Sequence, residues 1–371
     1  MGQLTVEKAE DGAGVRAFVD YPYAKYKGDP NWVAPLRISQ FEMLDEKKNP
    51  FWRHAEKALY LAKRDGRVVG RVAYVRDDAH IRVHDEQLAF FGFFEAEDEE
   101  AAKALLQVVE SHASAEGLTA VRGPINPSMN DGAGFQVDAF DAKPAVMMPQ
   151  NPAEYPRWVE GAGYSKIKDL YCFEFDTHKP FDERIDRIAE RTKSRYPIVV
   201  RPADMKRFDR EIEILKKIHT EAWEQNWGNV PLTDAEVEHL ANDLKMIIDP
   251  ELVLFLEYRG EPVALAVTVP DLNQVLARFN GRLLPFGIVH LLRRKQIIDR
   301  ARLVMLGVLP EHRNKGYDLL LIHEVVKRAR ERGINGGECG WTLEDNVRIN
   351  NAIEAVGGVR SKTYRIFQKG L

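Results

Sequence analysis

Cysteine is scarce: Cys172 and Cys339 are the only two in 371 residues, too few and too far apart for a disulfide framework or a Cys-rich zinc site. Long apolar runs are missing as well. No stretch approaches the roughly 18 uninterrupted apolar residues of a spanning helix, and residues 1–10 carry no apolar leader core. A reducing, cytoplasmic location is expected, with room for peripheral contact with the inner membrane. Charge of one sign is not in excess either. The 53 basic and 57 acidic residues leave a formal net charge of -4, which argues against a nucleic-acid binder held by phosphate neutralisation. The sequence shows no metal-ligand cluster and no redox-cofactor fingerprint, so no metal is expected. What is present, 44% hydrophobic and 30% charged residues, suits a soluble globular chain long enough for two domains.

Self-similarity supplies those two domains. The strand-like stretch at 5–10 and its helix recur near 199–204, an offset of 194 that returns in two hairpins. One turns at Asp65-Gly66 and the other at Arg259-Gly260, each between apolar runs with strand character. The apolar helix at 99–115, closed by Gly117, has its counterpart at 318–331, closed by Gly333. The second copy has therefore gained about 22 residues between 276 and 301. The first copy has its own addition, a Gly/Pro/Asn-rich segment at 123–152, long enough to form the wall of a site. Both copies close alike, Gly161-Ala162-Gly163-Tyr164-Ser165-Lys166 matching Gly357-Gly358-Val359-Arg360-Ser361-Lys362, each before a final strand. The pattern predicts an α/β (α+β) fold of two tandem mixed-sheet domains, 1–180 and 198–371, joined by a charged linker helix at 181–197.

In the second copy an apolar strand at 303–309 runs into Pro310-Glu311-His312-Arg313-Asn314-Lys315-Gly316-Tyr317-Asp318 and then an apolar helix. Loop amides and the positive end of a helix dipole make such a junction a cradle for a pyrophosphate. Arg313 and Lys315 add charge. By composition alone such a loop is more often just a solvated strand-to-helix turn.

In context the junction resembles the GNAT superfamily of acyl-CoA N-acyltransferases, whose pyrophosphate loop reads Q/R-x-x-G-x-G/A. Arg313 fills its first position and Gly316 its first glycine, while Asp318 departs from the small residue expected. Asn346, in Trp341-Thr342-Leu343-Glu344-Asp345-Asn346, matches the asparagine that contacts the CoA arm in that superfamily. The resemblance implies acyl-CoA as co-substrate, with Gly307, Val308, Arg313, Asn314, Lys315, Gly316, Tyr317 and Asn346 as its contacts. Two further departures touch catalysis. Ile353 stands where many members carry a tyrosine acid, and Arg302 where a glutamate base is common. Candidates for the missing base are Glu338, Glu344, His290, His219 and Glu221, with Tyr364 as acid. The first copy has an acidic run, Glu95 to Glu100, in place of the loop, so no CoA is expected there.

The acceptor is indicated by the insertion. Residues 278–302 surround the apolar run 283–292 with Arg278, Arg282, Arg293, Arg294, Lys295, Arg300 and Arg302 against the single acid Asp299. That pattern suits contact with an anionic membrane through 282–302, or a lid over an acyl chain; a helix packed on the sheet with a solvated basic end fits equally. Trp223, Asn226 and Trp227 end the opening helix and, with Leu284 and Phe286, are expected to line the acceptor side. The W-x-x-N-W-G element, the R-L-L-P-F-G insertion, the L-E-D-N turn and the closing S-K-T-Y-R-I resemble, over most of the chain, the bacterial ceramide synthase family. This resemblance implies N-acylation of a long-chain (sphingoid) base by a fatty acyl-CoA. The alternatives are an acetyl-CoA-dependent N-acetyltransferase of a small amine and a catalytically degenerate acyl-CoA-binding protein.

Overall fold

A computed structural model of the chain describes residues 2–245, 247–282 and 287–371. It divides into two compact units, one of 1–170, 276–288 and 363–371, the other of 171–275 and 289–362. Neither unit is a contiguous piece of sequence, so the boundaries differ from 1–180 and 198–371.

The first unit opens with β1 (Leu4–Lys8), α1 (Gly12–Lys25) and α2 (Arg37–Leu44), followed by the hairpin β2 (Ala55–Arg64) and β3 (Arg67–Asp77). Asp65 and Gly66 both take positive φ at its turn, the geometry that follows the strands' own twist. Next come α3 (Asp78–His84), β4 (Leu88–Ala96), α4 (Glu99–Ala115), β5 (Ala120–Gly123), β6 (Phe135–Gln136), α5 (Tyr155–Gly161) and β7 (Ser165–Asp176). Leu105, Leu106 and Val109 of α4 are wholly buried in a core shared with Phe91, Phe94, Tyr155 and Phe367. Asp98 caps α4 by accepting from Ala101 N at 2.9 Å and pairs with Arg64, so the acidic run serves the helix start directly.

The second unit holds α6 (Glu183–Arg195), β8 (Ile198–Pro202), α7 (Phe208–Trp223), α8 (Asp234–Lys245), β9 (Val253–Tyr258), β10 (Glu261–Pro270) and α9 (Asn273–Leu276). The short helices α10 (Gly287–Leu292) and α11 (Arg294–Ile297) precede β11 (Arg300–Val308), α12 (Tyr317–Glu331), β12 (Gly336–Leu343), α13 (Val347–Ala355) and β13 (Val359–Gly370). The β9–β10 turn repeats the first hairpin, Arg259 and Gly260 again at positive φ.

Each unit has three antiparallel pairings followed by one parallel pairing, β4 with β5 and β11 with β12. The closing strands depart from the simple repeat. In the first unit the strand beside β5 is the last stretch of β13, with Phe367 opposite Gly123 and Gly370 opposite Ala120. In the second, β12 borders β7, whose residues from Tyr171 onward belong to that unit. Among the described residues no helix is long and apolar enough to cross a membrane.

Candidate active site

The parallel register of β11 and β12 ends at Leu303 opposite Cys339. Beyond it the strands diverge around a cavity of about 620 Å³, leaving the β12-facing backbone edge of β11 from 304 to 308 open to a ligand. One wall is β11 itself, and the other is Gly340, Trp341, Thr342 and Leu343 of β12. The end of α7 contributes Ala222 and Trp223, the turn after it Gln225, Asn226 and Trp227, and α13 Arg348, Ile349 and Ile353. Gly307 is required by this arrangement. A Cβ there would sit 2.4 Å from the Trp223 ring, so only glycine lets the indole lie on the strand.

Beside the cavity, Gly316 starts α12 at φ 78° and, having no side chain, makes no cap bond. The amides of Tyr317 and Asp318 in the first turn can serve an anion, while that of Leu319 is taken. Arg313 donates through Nη2 to Ala222 O at 2.8 Å, which ties the loop to the end of α7 while its side chain lines the cavity. Asp318 accepts from Leu319 N at 3.0 Å and is paired by Arg348 at 2.8 Å. This neutralises the carboxylate beside the cradle and explains how an acid is tolerated there. Asn346 accepts from Ile349 N and caps α13, its side chain at the same cavity.

The sequence-predicted contacts Gly307, Val308, Arg313, Asn346, Trp223, Asn226 and Trp227 thus line one cavity. Asn314 and Gly316 shape the loop through positive φ, and Lys315 Nζ donates to Glu311 O at 3.1 Å. Tyr317 turns into the protein, edge-on to Tyr196, and burial pushes its phenol up to about 12. It packs the helix start and does not line the cavity. Leu284 and Phe286 lie outside the described residues.

The expected acid and bases fare differently. Glu338 lines a separate, smaller cavity with Thr268 and Ile322, and its carboxylate is buried 3.3 Å from Arg302. Neighbouring strand residues face opposite sides, and Glu338 has the phase that points away from the cleft. Tyr364 is wholly buried in the first unit, opposite Gln136. Glu344 precedes the two cavity residues Asp345 and Asn346 without lining the cavity, and neither His290 nor Glu221 lines it. His219 stacks on Trp223 at 4.9 Å, and burial lowers its pKa, which keeps the ring neutral. The carboxylates that do line the cavity are Asp318 and Asp345. Cys339 lines it too, but burial pushes its thiol up to about 12, so it stays protonated and is a poor nucleophile. Sequence reasoning missed Arg348. The clue was Asp318 itself, an acid at an anion site, which calls for a basic partner.

In the first unit the equivalent gap is filled. The β4–β5 register stops at Phe90 opposite Arg122, after which Ile125 N donates to Phe91 O at 2.9 Å and Asn126 Oδ1 accepts from Phe93 N. The long segment that was expected to wall a site enters the gap between its own strands.

Two units of like strand order, the second with a parallel pair that splays beside a glycine-started helix, give the chain a tandem GNAT-like fold. In fold the chain is similar to a tandem GNAT protein of the clavulanic acid biosynthesis pathway, with TM-score 0.57, 12% identity and coverage of 99% of this chain and 98% of that one. It is likewise similar to a GCN5-related N-acetyltransferase of Sphaerobacter thermophilus, with TM-score 0.55, 13% identity and coverage of 99% and 95%. No family model matches the chain. Over 378 aligned residues it is 35% identical to the bacterial ceramide synthase of Caulobacter vibrioides (strain NA1000 / CB15N), covering 99% of this chain and 98% of that protein. It is also 30% identical to protein YghO of Escherichia coli (strain K12), covering 96% and 92%. The chain belongs to the bacterial ceramide synthase family.

Proposed function

We propose that this chain is an N-acyltransferase that moves a fatty acyl group from acyl-CoA to the amine of a long-chain, sphingoid-type base. The observation that carries the reading is the second unit's cavity, where an open β11 edge, Arg313, Asp318 in the first turn of α12 and Asn346 line a single space. Its full-length likeness to a ceramide synthase supports the choice of substrates.

In this reading the diphosphate of the donor lies on the α12 amides, with Arg313 and Arg348 beside it. The thioester carbonyl meets an amide of β11 near Gly307 and Val308, which takes up the oxyanion charge. The neutral amine attacks the carbonyl carbon, Asp345 takes the proton that the nitrogen then sheds, the C–S bond breaks, and that proton passes on to the departing CoA thiolate, leaving amide and free thiol. Protonated Cys339 favours this direct transfer over an acyl-enzyme. Trp223, Trp227, Ile349 and Ile353 offer apolar surface to the chains. The first unit, its gap filled by its own backbone, carries no donor and supports the fold. A peripheral contact with an anionic membrane through 282–302 brings the enzyme to water-insoluble substrates.

The test is mass spectrometry of the products after incubation with acetyl-CoA and palmitoyl-CoA and with sphinganine, 3-ketosphinganine and polyamines. A palmitoyl amide of the long-chain base is expected. Acetylated polyamine would move the chain to the small-amine acetyltransferases, and CoA binding without product would make it a degenerate binder.

A further inference from the structure

The cleft of the second unit has two unlike ends. Past the end of β11 it is lined by Arg313, Asp318 and Arg348. In the other direction Leu306 and Val304 line it as far as Leu303, which faces Cys339 in the last paired position of β11 and β12. Leu303 and Cys339 are both buried and close the cleft where the two strands meet. The same two side chains also line a second cavity, of about 40 Å³, whose other walls include Phe175 and Ala301 and, from α12, Ile322 and Val326. Apart from Thr177, Thr268 and Glu338 that cavity is apolar. Two side chains therefore divide the cleft from an apolar space on the α12 side of the sheet.

The partition is held from both strands. Arg302 and Glu338 stand opposite each other one position earlier in the register, both buried, their charged groups 3.3 Å apart. Arg302 also donates through Nη2 to Gly340 O at 2.8 Å, one residue past Cys339. A buried ion pair on one side and a cross-strand hydrogen bond on the other bracket Leu303 and Cys339, so the strands resist parting at that point.

We infer that Leu303 and Cys339 form a fixed floor that sets the length of the donor's acyl chain. This rests on the acyltransferase reading above and specifies it. The anion-binding end gives the donor its direction. With the diphosphate at the start of α12 and the thioester near Gly307, the chain beyond the carbonyl runs along β11 toward Leu303, roughly 13 Å of strand away. A palmitoyl chain is long enough to reach the floor, and an octanoyl chain stops short of it. The acceptor amine approaches from the α7 side, past Trp223 and Trp227, so the length of its chain is not read there.

Octanoyl-, palmitoyl- and stearoyl-CoA, each paired with sphinganine, test the floor on the full chain. Cys339→Met, which adds volume at the floor, should lower the ratio of kcat/KM for palmitoyl-CoA to that for octanoyl-CoA about tenfold or more. Leu303→Ala, which joins the two cavities, should raise the ratio for stearoyl-CoA over palmitoyl-CoA by a similar factor. If either variant fails to fold by circular dichroism, Cys339→Val or Leu303→Val takes its place. A change that merely loosens the fold lowers kcat/KM for all three donors alike and leaves both ratios where they were. Unchanged ratios in the folded variants would overturn the floor and leave the acyltransferase reading standing. A shifted preference among bases of different chain length, with the donor ratios unchanged, would assign the floor to the acceptor and overturn the inference as well. A wild type that forms no amide from any of the three donors would overturn the acyltransferase reading and the floor with it.

Discussion

Gly307 shows how much of the cavity rests on one missing side chain. Its Cα faces the Trp223 ring at a distance no Cβ fits, and Trp223 in turn stacks on buried His219. Gly307→Val is expected to push the indole off β11, destabilise the fold by about 1–3 kcal/mol and lower kcat/KM. Melting and steady-state kinetics measure the two effects, and an unchanged kcat/KM would mean that Trp223 does not shape the site. His219 makes a second, pH-dependent prediction. Its folded pKa lies below the unfolded value of about 6.5. Between those two values the unfolded chain binds a proton that the folded chain does not, so stability falls as pH drops through that window. His80 and His312, lowered by burial as well, act in the same direction. The melting temperature should therefore fall from pH 7.5 to pH 5.5, and less steeply in His219→Gln. Equal slopes in the two proteins would place the proton uptake elsewhere. At this scale the sequence was an uneven guide. Glycines at positive φ and the asparagine at a helix cap carry their reason in their own chemistry. Glu338 did not, because strand alternation leaves open which of the two phases faces the cleft.

Helices and strands were easier to read than single side chains. The paired hairpins are visible in Asp65-Gly66 and Arg259-Gly260, since both turns need left-handed backbone, and α4 and α12 follow from helical spacing and closing glycines. The segment after β5 was harder. Its glycines and prolines announce irregular chain, but nothing local announces that Ile125 and Asn126 bond back to β4. The most consequential element boundary is the start of α12. Gly316 has φ 78°, and a Cβ there would approach Thr192 Oγ1 at 3.4 Å, so there is some room but the wrong backbone region for a side chain. Gly316→Glu should strain the turn and place a negative charge at the helix start, abolishing acyl-CoA binding by calorimetry. Retained affinity would remove α12 from the donor site.

For the molecule as a whole, the sequence repeat is plain and the compact units do not follow it. Tyr364 was placed with the second copy because its sequence neighbours are, yet residues from 363 onward complete the first unit. A repeat marks which segments are alike, whereas backbone pairing with β5 decides where the last strand ends up. Phe367 is wholly buried in the first unit's core. Phe367→Ala should cost about 3–5 kcal/mol and raise hydrogen exchange first in 88–96 and 120–123. Loss of protection confined to the second unit would contradict the strand's assignment.

That assignment also has a consequence for the order in which the protein is made. Domains generally fold as units during synthesis, the N-terminal one first. Here the unit that begins with residues 1–170 lacks a strand, and a buried aromatic of its core, until residues 363–371 have been translated. Residues 1–170 therefore wait through the synthesis of the whole second unit before their sheet is complete, and the edge beside β5 stays open for that interval.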